Sequence, residues 1–412
     1  MKAFILFLAV LATLLGNSYA VLPATAVEAV SRVTLTWTED PRTTQTITWQ
    51  RGEASNACLL EWTEGDGIRL ARGLGTQVIA GEKTVSTGVG DTPFCQVTLQ
   101  NLKPGVRYYY RIGDGHIWSA TESFLTAPSK EKAFQFLIFG DSQSVDYRVW
   151  HTTVQQAWQR NPKAAFFVNM GDLVDNGQDE GQWSAWFHAA ADVIKRIPAM
   201  PVSGNHENYT LGGGFALPGL FTAHFPLPAN GPEELKGRVY SYDYGPVHFV
   251  VLDSQAGEQS RFIPDMLKRQ KEWLEADLAA TMQPWKVVFI HRPLYGNRQD
   301  DSGSVLRRTF EDVLLAGKVD VVFSAHEHVY ARTGYLPENS NGERKQTGIR
   351  YVATGRSGSK TYQNVMQREW NEYFYNPLEE PNYLVAEVST NRLLLKAYRQ
   401  SGSLIDSWSI EK

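Results

Sequence analysis

The hydrophobic periodicity of this chain changes once, near residue 130, and that change divides it into two regions of different fold class. From Val33 to Thr126, apolar and β-branched residues fall in short alternating runs: Thr34–Trp37, Thr46–Trp49, Leu59–Trp62, Gln96–Leu99 and Val106–Ile112. Asp40-Pro41, Gly65-Asp66-Gly67, Lys103-Pro104-Gly105 and Gly113-Asp114-Gly115 separate them as turns. About six or seven short strands over roughly 100 residues are the pattern of an all-β sandwich. Ala127-Pro128-Ser129-Lys130 reads as a linker. Beyond it, continuous apolar runs suited to a buried sheet (Phe134–Phe139, Ala165–Val168, Val247–Leu252, Lys286–Ile290, Val319–Phe323) alternate with helical spacing. The helical stretches are Val149–Arg160, Gln182–Ile194, Arg261–Ala280 and Val305–Ala316, which predicts a layered α/β domain. A length of 412 residues also exceeds what one core ordinarily organises.

The N-terminus carries a targeting pattern. Met1-Lys2 precedes an apolar run from Ala3 to Leu15, and Ser18-Tyr19-Ala20 gives a small-x-small cleavage site. The run is too short to span a bilayer as a stable helix. The expectation is therefore a signal peptide at 1–20, an exported mature chain with no membrane span, a sandwich at 21–128 and an α/β domain at 133–412. The two cysteines, Cys58 and Cys95, mature where oxidation is allowed; they either pair or remain buried thiols. Two thiols exclude a disulfide scaffold and a four-thiolate zinc site, so metal chemistry here must use oxygen and imidazole. With 40 Lys+Arg against 44 Asp+Glu, the net charge is −4, which gives no overall basic field for nucleic acid, and none is expected as a partner.

The informative feature of the second region is where its polar residues fall. Phe136–Phe139 leads into Gly140-Asp141, Phe166–Met170 into Gly171-Asp172, and Met200–Ser203 into Gly204-Asn205-His206-Glu207. Val287–Ile290 leads into His291, and Val321–Ala325 into His326-Glu327-His328. Ligands of open α/β sheets gather beyond the carboxyl ends of the strands, so five such ends can converge on one place. A single Gly-Asp is ordinarily a turn and a single histidine ordinarily structural; the ordered set carries the signal.

Spanning residues 140–328, the set resembles the signature of the calcineurin-type metallophosphoesterases. Leu99 to Ile112, LQNLKPGVRYYYRI, resembles the turn and tyrosine-rich strand of fibronectin type III domains. With that sandwich in front, the whole resembles the purple acid phosphatases and their bacterial relatives. The resemblance implies an αββα-type catalytic domain and two metal ions, divalent or of mixed valence, drawn from Fe, Mn and Zn. It implies Asp141, a shared Asp172 and His328 on the first ion, and Asp172, Asn205, His291 and His326 on the second. A metal-bridging hydroxide would attack the phosphorus of a small phosphorylated substrate, a monoester foremost, and His206 would protonate the leaving group. A phosphodiesterase or pyrophosphohydrolase on the same ions is the alternative activity. A surface binding protein with a degenerate metal domain is the alternative outside enzymology.

Two positions depart from the family pattern. Purple acid phosphatases carry a tyrosine three residues after the bridging aspartate, where this chain has Asp175. The broader family carries a histidine two residues after the first aspartate, where this chain has Gln143. Either the Gln143 amide oxygen or water then completes the first ion's ligands. Without a phenolate there is no source of purple colour, which leaves Mn, Zn or Fe(II) mixtures open. Glu207 and Glu327 are expected to orient ligand histidines. Arg292 and Arg298 could grip phosphate, although surface ion pairing is the commoner role. Tyr209, Tyr295 and Tyr330 are expected either to line a substrate groove or to pack in the core or at the rim. Gly355-Arg356-Ser357-Gly358-Ser359 reads as a loop near the rim, and His116, His151, His188, His224 and His248 as structural. Nothing in the sequence sets an oligomeric state.

Overall fold

A computed structural model describes residues 30–52, 57–87, 90–129, 133–299, 303–334 and 348–412. The expected signal peptide at 1–20 lies outside the described residues.

Eight strands build the first domain: β1 Val30–Thr36, β2 Gln45–Arg51, β3 Leu59–Glu64, β4 Thr76–Ile79, β5 Gly81–Thr87, β6 Gly90–Leu99, β7 Arg107–Gly113 and β8 Glu122–Leu125. A one-turn helix, α1 (Ile68–Ala71), follows β3. The strands form two four-stranded sheets, ordered β1-β2-β6-β5 and β4-β3-β7-β8. Their inner faces bury Leu35, Ile47, Trp49, Leu60, Tyr108, Tyr110 and Phe124, as the alternation requires. A disulfide joins Cys58, just before β3, to Cys95 in β6 and so ties one sheet to the other. Strands β4 and β5 went unread because most of their described side chains face solvent and lend them no apolar rhythm.

The second domain has two larger sheets. One is ordered β10-β9-β18-β19-β20, from β9 Phe134–Phe139, β10 Ala164–Asn169, β18 Asn382–Val388, β19 Arg392–Arg399 and β20 Leu404–Glu411. The other is ordered β11-β12-β13-β14-β16-β15-β17, from β11 Tyr240–Tyr244, β12 Val247–Leu252, β13 Trp285–Ile290, β14 Val321–Ser324, β15 Tyr330–Thr333, β16 Arg350–Thr354 and β17 Asn371–Tyr375. Strands β9 and β10 run parallel, as do β12, β13, β14 and β16. Between the sheets a file of phenylalanines interlocks: Phe136 stacks on Phe166 at 4.9 Å, Phe249 meets Phe136 edge-on at 5.3 Å, and Phe289 stacks on Phe323 at 5.4 Å. Helices α2 (Arg148–Arg160) and α3 (Glu180–Ile194) cover the outer face of the five-stranded sheet. Helices α6 (Met266–Ala280) and α7 (Ser304–Ala316) cover that of the seven-stranded sheet. The order is α/β/β/α, as expected.

Two local readings need correction. Met200–Ser203 forms no regular strand, because Pro198 and Pro201 remove donors from any ladder. It runs extended beside β10, with the Met200 and Val202 N–H groups donating to Phe167 and Asn169 at 3.0 and 2.8 Å. The helix expected from Arg261 begins only at Met266, since Pro264 and a left-handed Asp265 (φ 58°) interrupt it; a short α5 (Ala256–Gln259) precedes the break. The Gly/Pro-rich stretch from Gly212 to Gly237 contains a buried helix, α4 (Gly219–His224).

The sandwich is fused to this domain. Trp37 is buried against Phe166 at 5.4 Å and Tyr244 at 5.5 Å. Arg32 pairs with Glu180 in the first turn of α3, and the Ala199 N–H donates to the Leu35 carbonyl at 2.8 Å.

Candidate metal centre

Each expected ligand lies just beyond a buried strand or, for Asn205, beyond the extended segment beside β10, on a turn that sets its direction. Asp172, His326 and His328 sit in the left-handed region at φ 52°, 68° and 57°, a conformation costly for side-chain-bearing residues and held only by surrounding structure. Gly171 (φ 98°) is required twice over, since a Cβ there would lie 2.6 Å from His291 Nδ1.

The turns bring the expected ligands together. His291 Nε2 lies 3.2 Å from Asp172 Oδ2, 3.2 Å from Asn205 Oδ1 and 4.0 Å from Asp141 Oδ1. His328 Nε2 lies 3.6 Å from Asp141 Oδ1. One donor atom each from Asp172, His291 and His326 falls within 4.8 Å of the others. The backbone N–H of His326 donates to Asp141 Oδ2 at 3.0 Å, so the turn after β14 is docked on the turn after β9. His206 stands beside the cluster, with Nε2 4.0 Å from Asp172 Oδ2.

Outer contacts fix which atoms face inward. His291 Nδ1–H donates to the Met170 carbonyl at 2.8 Å and His328 Nδ1–H to the Lys360 carbonyl at 2.9 Å, so both Nε2 atoms point into the site. Asn205 donates its amide N–H to the Tyr209 hydroxyl at 2.9 Å, which aims Oδ1 inward. Glu207 and Glu327 do not touch the ligand histidines, contrary to expectation. Glu207 accepts the backbone N–H groups of Asp172, Leu173 and Gly204, and Glu327 those of Asn297 and Arg298. They brace loops.

The donor set fits cations. Asp141 Oδ1, His328 Nε2, His326 Nδ1 and both amide atoms of Gln143 are buried with no hydrogen-bond partner, an arrangement that is costly unless something binds them. Burial alone would strip the proton from His291, yet the Asp172 and Asp141 carboxylates hold its pKa up at about 9. Burial raises Asp172, but His291, His206 and His326 outweigh it and hold the carboxyl well below its usual range. Burial, with His291 and the arginines adding, pushes His326 well down and leaves its ring neutral. Burial first, and Asp172 second, push Glu207 up to about 7.

The two departures from the family pattern now separate. Asp175 forms an ion pair with Lys360, and its carbonyl accepts His206 Nδ1–H at 2.8 Å. Gln143 is fully buried beside Asp141, while the neighbouring Ser142 turns into the core, accepting from Asn169 and Trp186 at 2.9 Å each. The arginines separate as well. Arg292 is held by Glu258 at 2.7 Å. Arg298 lies 4.6 Å over the Tyr362 ring, which lies tilted against His328 at 4.3 Å, and no carboxylate pairs with it among the described residues. Tyr295 and Tyr330 are core residues.

Sequence reasoning missed Lys360 and Tyr362, which sit in no motif. The loop before them does border the site, but as backbone: the Ser357 and Gly358 N–H groups donate to the Asp141 carbonyl at 2.9 Å each. Arg356 is spent on the carbonyls of Pro377 and Gly358, at 2.9 and 2.6 Å.

A β-sandwich ahead of an α/β/β/α domain whose strand ends gather carboxylates, an amide and imidazoles is the arrangement of a metallophosphoesterase. Residues 134–330 match the family described as calcineurin-like phosphoesterase, and residues 30–126 match the purple acid phosphatase N-terminal domain. Purple acid phosphatase 21 of Arabidopsis thaliana is 29% identical over 64% of this chain and 58% of its own length. Purple acid phosphatase 23 of the same plant is 25% identical over 57% of each chain. The solved structure of purple acid phosphatase PPD1 from yellow lupin (Lupinus luteus) seeds superposes with a TM-score of 0.74 at 20% identity, covering 93% of this chain and 74% of that one. The chain thus carries a calcineurin-like phosphoesterase domain behind a purple acid phosphatase N-terminal domain. It spans well under two thirds of the length of these two Arabidopsis relatives.

Proposed function

We propose that the chain is an exported phosphatase that hydrolyses phosphate monoesters at a two-metal centre. The observation that carries this reading is the set of buried, unpartnered carboxylate and imidazole atoms gathered with Asp172. Asp141, Asp172 and His328, with Gln143 as the remaining donor, would hold one ion; Asp172, Asn205, His291 and His326 would hold the other. Nitrogen and oxygen ligands of this kind suit Fe, Mn or Zn. Two such ions, when bound, lower the pKa of a water and neutralise the phosphoryl oxygens for in-line displacement.

The chain's own residues supply the rest. Asn205, pinned by Tyr209, presents its amide oxygen in one orientation. His206 donates Nδ1–H to the Asp175 carbonyl, which leaves Nε2–H of the imidazolium to pass to the departing alkoxide. Arg298, lying over Tyr362 on the His328 side of the site, is the guanidinium placed to receive phosphate oxygens; Arg292 is already committed to Glu258. The disulfide between Cys58 and Cys95 supports export with removal of residues 1–20, since such bonds persist in oxidising compartments.

Parallel assays on p-nitrophenyl phosphate and bis-p-nitrophenyl phosphate test the reaction. Preference for the monoester supports the proposal, preference for the diester replaces it with a phosphodiesterase, and no turnover by metal-loaded protein rejects it. Mass analysis of secreted protein tests export, with Val21 the expected first residue.

A further inference from the structure

We propose that Tyr209 and Phe215 form an aromatic shelf on the leaving-group side of the site, selecting phosphate monoesters whose alcohol carries a planar ring, as a nucleoside does. The inference rests on the phosphatase reading and adds the substrate class.

A line of rings runs outward from the proton donor. The His206 ring lies 4.6 Å from that of Tyr209, and Tyr209 lies 5.7 Å from Phe215. Exposure rises along the line: His206 and Tyr209 are partly buried and Phe215 is exposed. Both outer rings are held in place. Tyr209 accepts from Asn205, and Tyr209 and Phe215 pair across an antiparallel bridge closed by the turn at Gly213. The Phe215 carbonyl is gripped by Arg261, whose guanidinium rests 4.4 Å over the Phe262 ring. One exposed phenyl ring is ordinary on a protein surface. A fixed ring at the end of a series that begins at the proton donor has a use, because the leaving group must sit at His206.

Charge divides the two walls. On the His328 side, Tyr362 carries Arg298, which has no carboxylate partner among the described residues and suits phosphate. On the shelf side, Arg292 is neutralised by Glu258. The phosphoryl group therefore faces the cationic wall and the alcohol faces uncharged rings, on which a base or aryl group stacks face to face.

Adenosine 5′-monophosphate, ribose 5-phosphate and glycerol 1-phosphate share a primary alkoxide leaving group, so the His206 proton counts equally for all three. Protein loaded in turn with Mn2+, Zn2+ and Fe2+ is expected to favour the nucleotide over the other two by about tenfold in kcat/KM. Phe215→Ala should lower that ratio about tenfold and Phe215→Tyr should retain it. The ratio, taken within one preparation, cancels any difference in folded fraction. Equal kcat/KM for all three esters, ribose 5-phosphate tracking the nucleotide, or a ratio unmoved by Phe215→Ala overturns the shelf and leaves the phosphatase reading intact. No hydrolysis of any ester overturns both.

Discussion

Glu207 accepts the backbone N–H of Asp172 at 2.9 Å, and the same buried carboxylate takes Leu173 at 2.8 Å and Gly204 at 2.6 Å. One side chain thus locks the turn that carries Asp172 to the turn that carries Asn205 and His206. Glu207→Ala leaves three buried N–H groups without a partner, each costing about 1–3 kcal/mol. The variant should lose at least about 3 kcal/mol of unfolding free energy in urea. A loss under about 0.5 kcal/mol would show that the brace is not needed.

His206→Ala should hurt alkyl phosphates far more than p-nitrophenyl phosphate, whose leaving group needs little protonation. The expected loss on glycerol phosphate is about 100-fold or more in kcat. Equal losses on both substrates would count against His206 as the acid.

Gln143→Leu should weaken one of the two proposed metal sites and spare the other, because Gln143 is assigned to the ion held by Asp141 and His328 and its amide is buried without a hydrogen-bond partner. Equilibrium dialysis against Mn2+ should show about one ion per chain retained at a concentration that fills both sites of the wild type. Unchanged occupancy would assign that position to water.

His248, on β12, is held between Asp243 at 2.7 Å and Asp277 at 2.8 Å. Burial opposes its charge, but the two carboxylates prevail and raise its pKa from 6.5 to about 9. A raised folded-state value means that the contribution is complete below about pH 6.5 and is lost as pH rises through about 9. Its size is on the order of 2 kcal/mol, given that Asp243 is half exposed. Unfolding free energy measured from pH 6 to 10 should fall over that window in the wild type, and His248→Gln should flatten the fall. Parallel curves would remove His248 as the cause.

Much of this was legible in the residue order. Asp141, Asp172, Asn205, His291, His326 and His328 each follow an apolar run, and a buried strand ends where its apolar residues end. Strands β18 to β20 were not legible. They complete the five-stranded sheet through β18 pairing with β9, a contact between residues 134–138 and 384–388 that no local pattern announces. The same holds for Lys360 and Tyr362, which reach the site because the Asp141 carbonyl anchors their loop. Glutamates beside ligands were misassigned for a related reason: neighbours in sequence are turned to bind backbone across the site, not the ring next door.

Metal content by elemental analysis, on protein stripped and then reloaded with Mn2+, Zn2+ or Fe2+, reaches the central claim most directly. The account predicts about two ions per chain in the wild type and a loss of both metal and phosphatase activity in Asp172→Asn, since the proposal has that one carboxylate serve both sites. Near-zero occupancy of the wild type under all three metals, or full occupancy of Asp172→Asn, would contradict it.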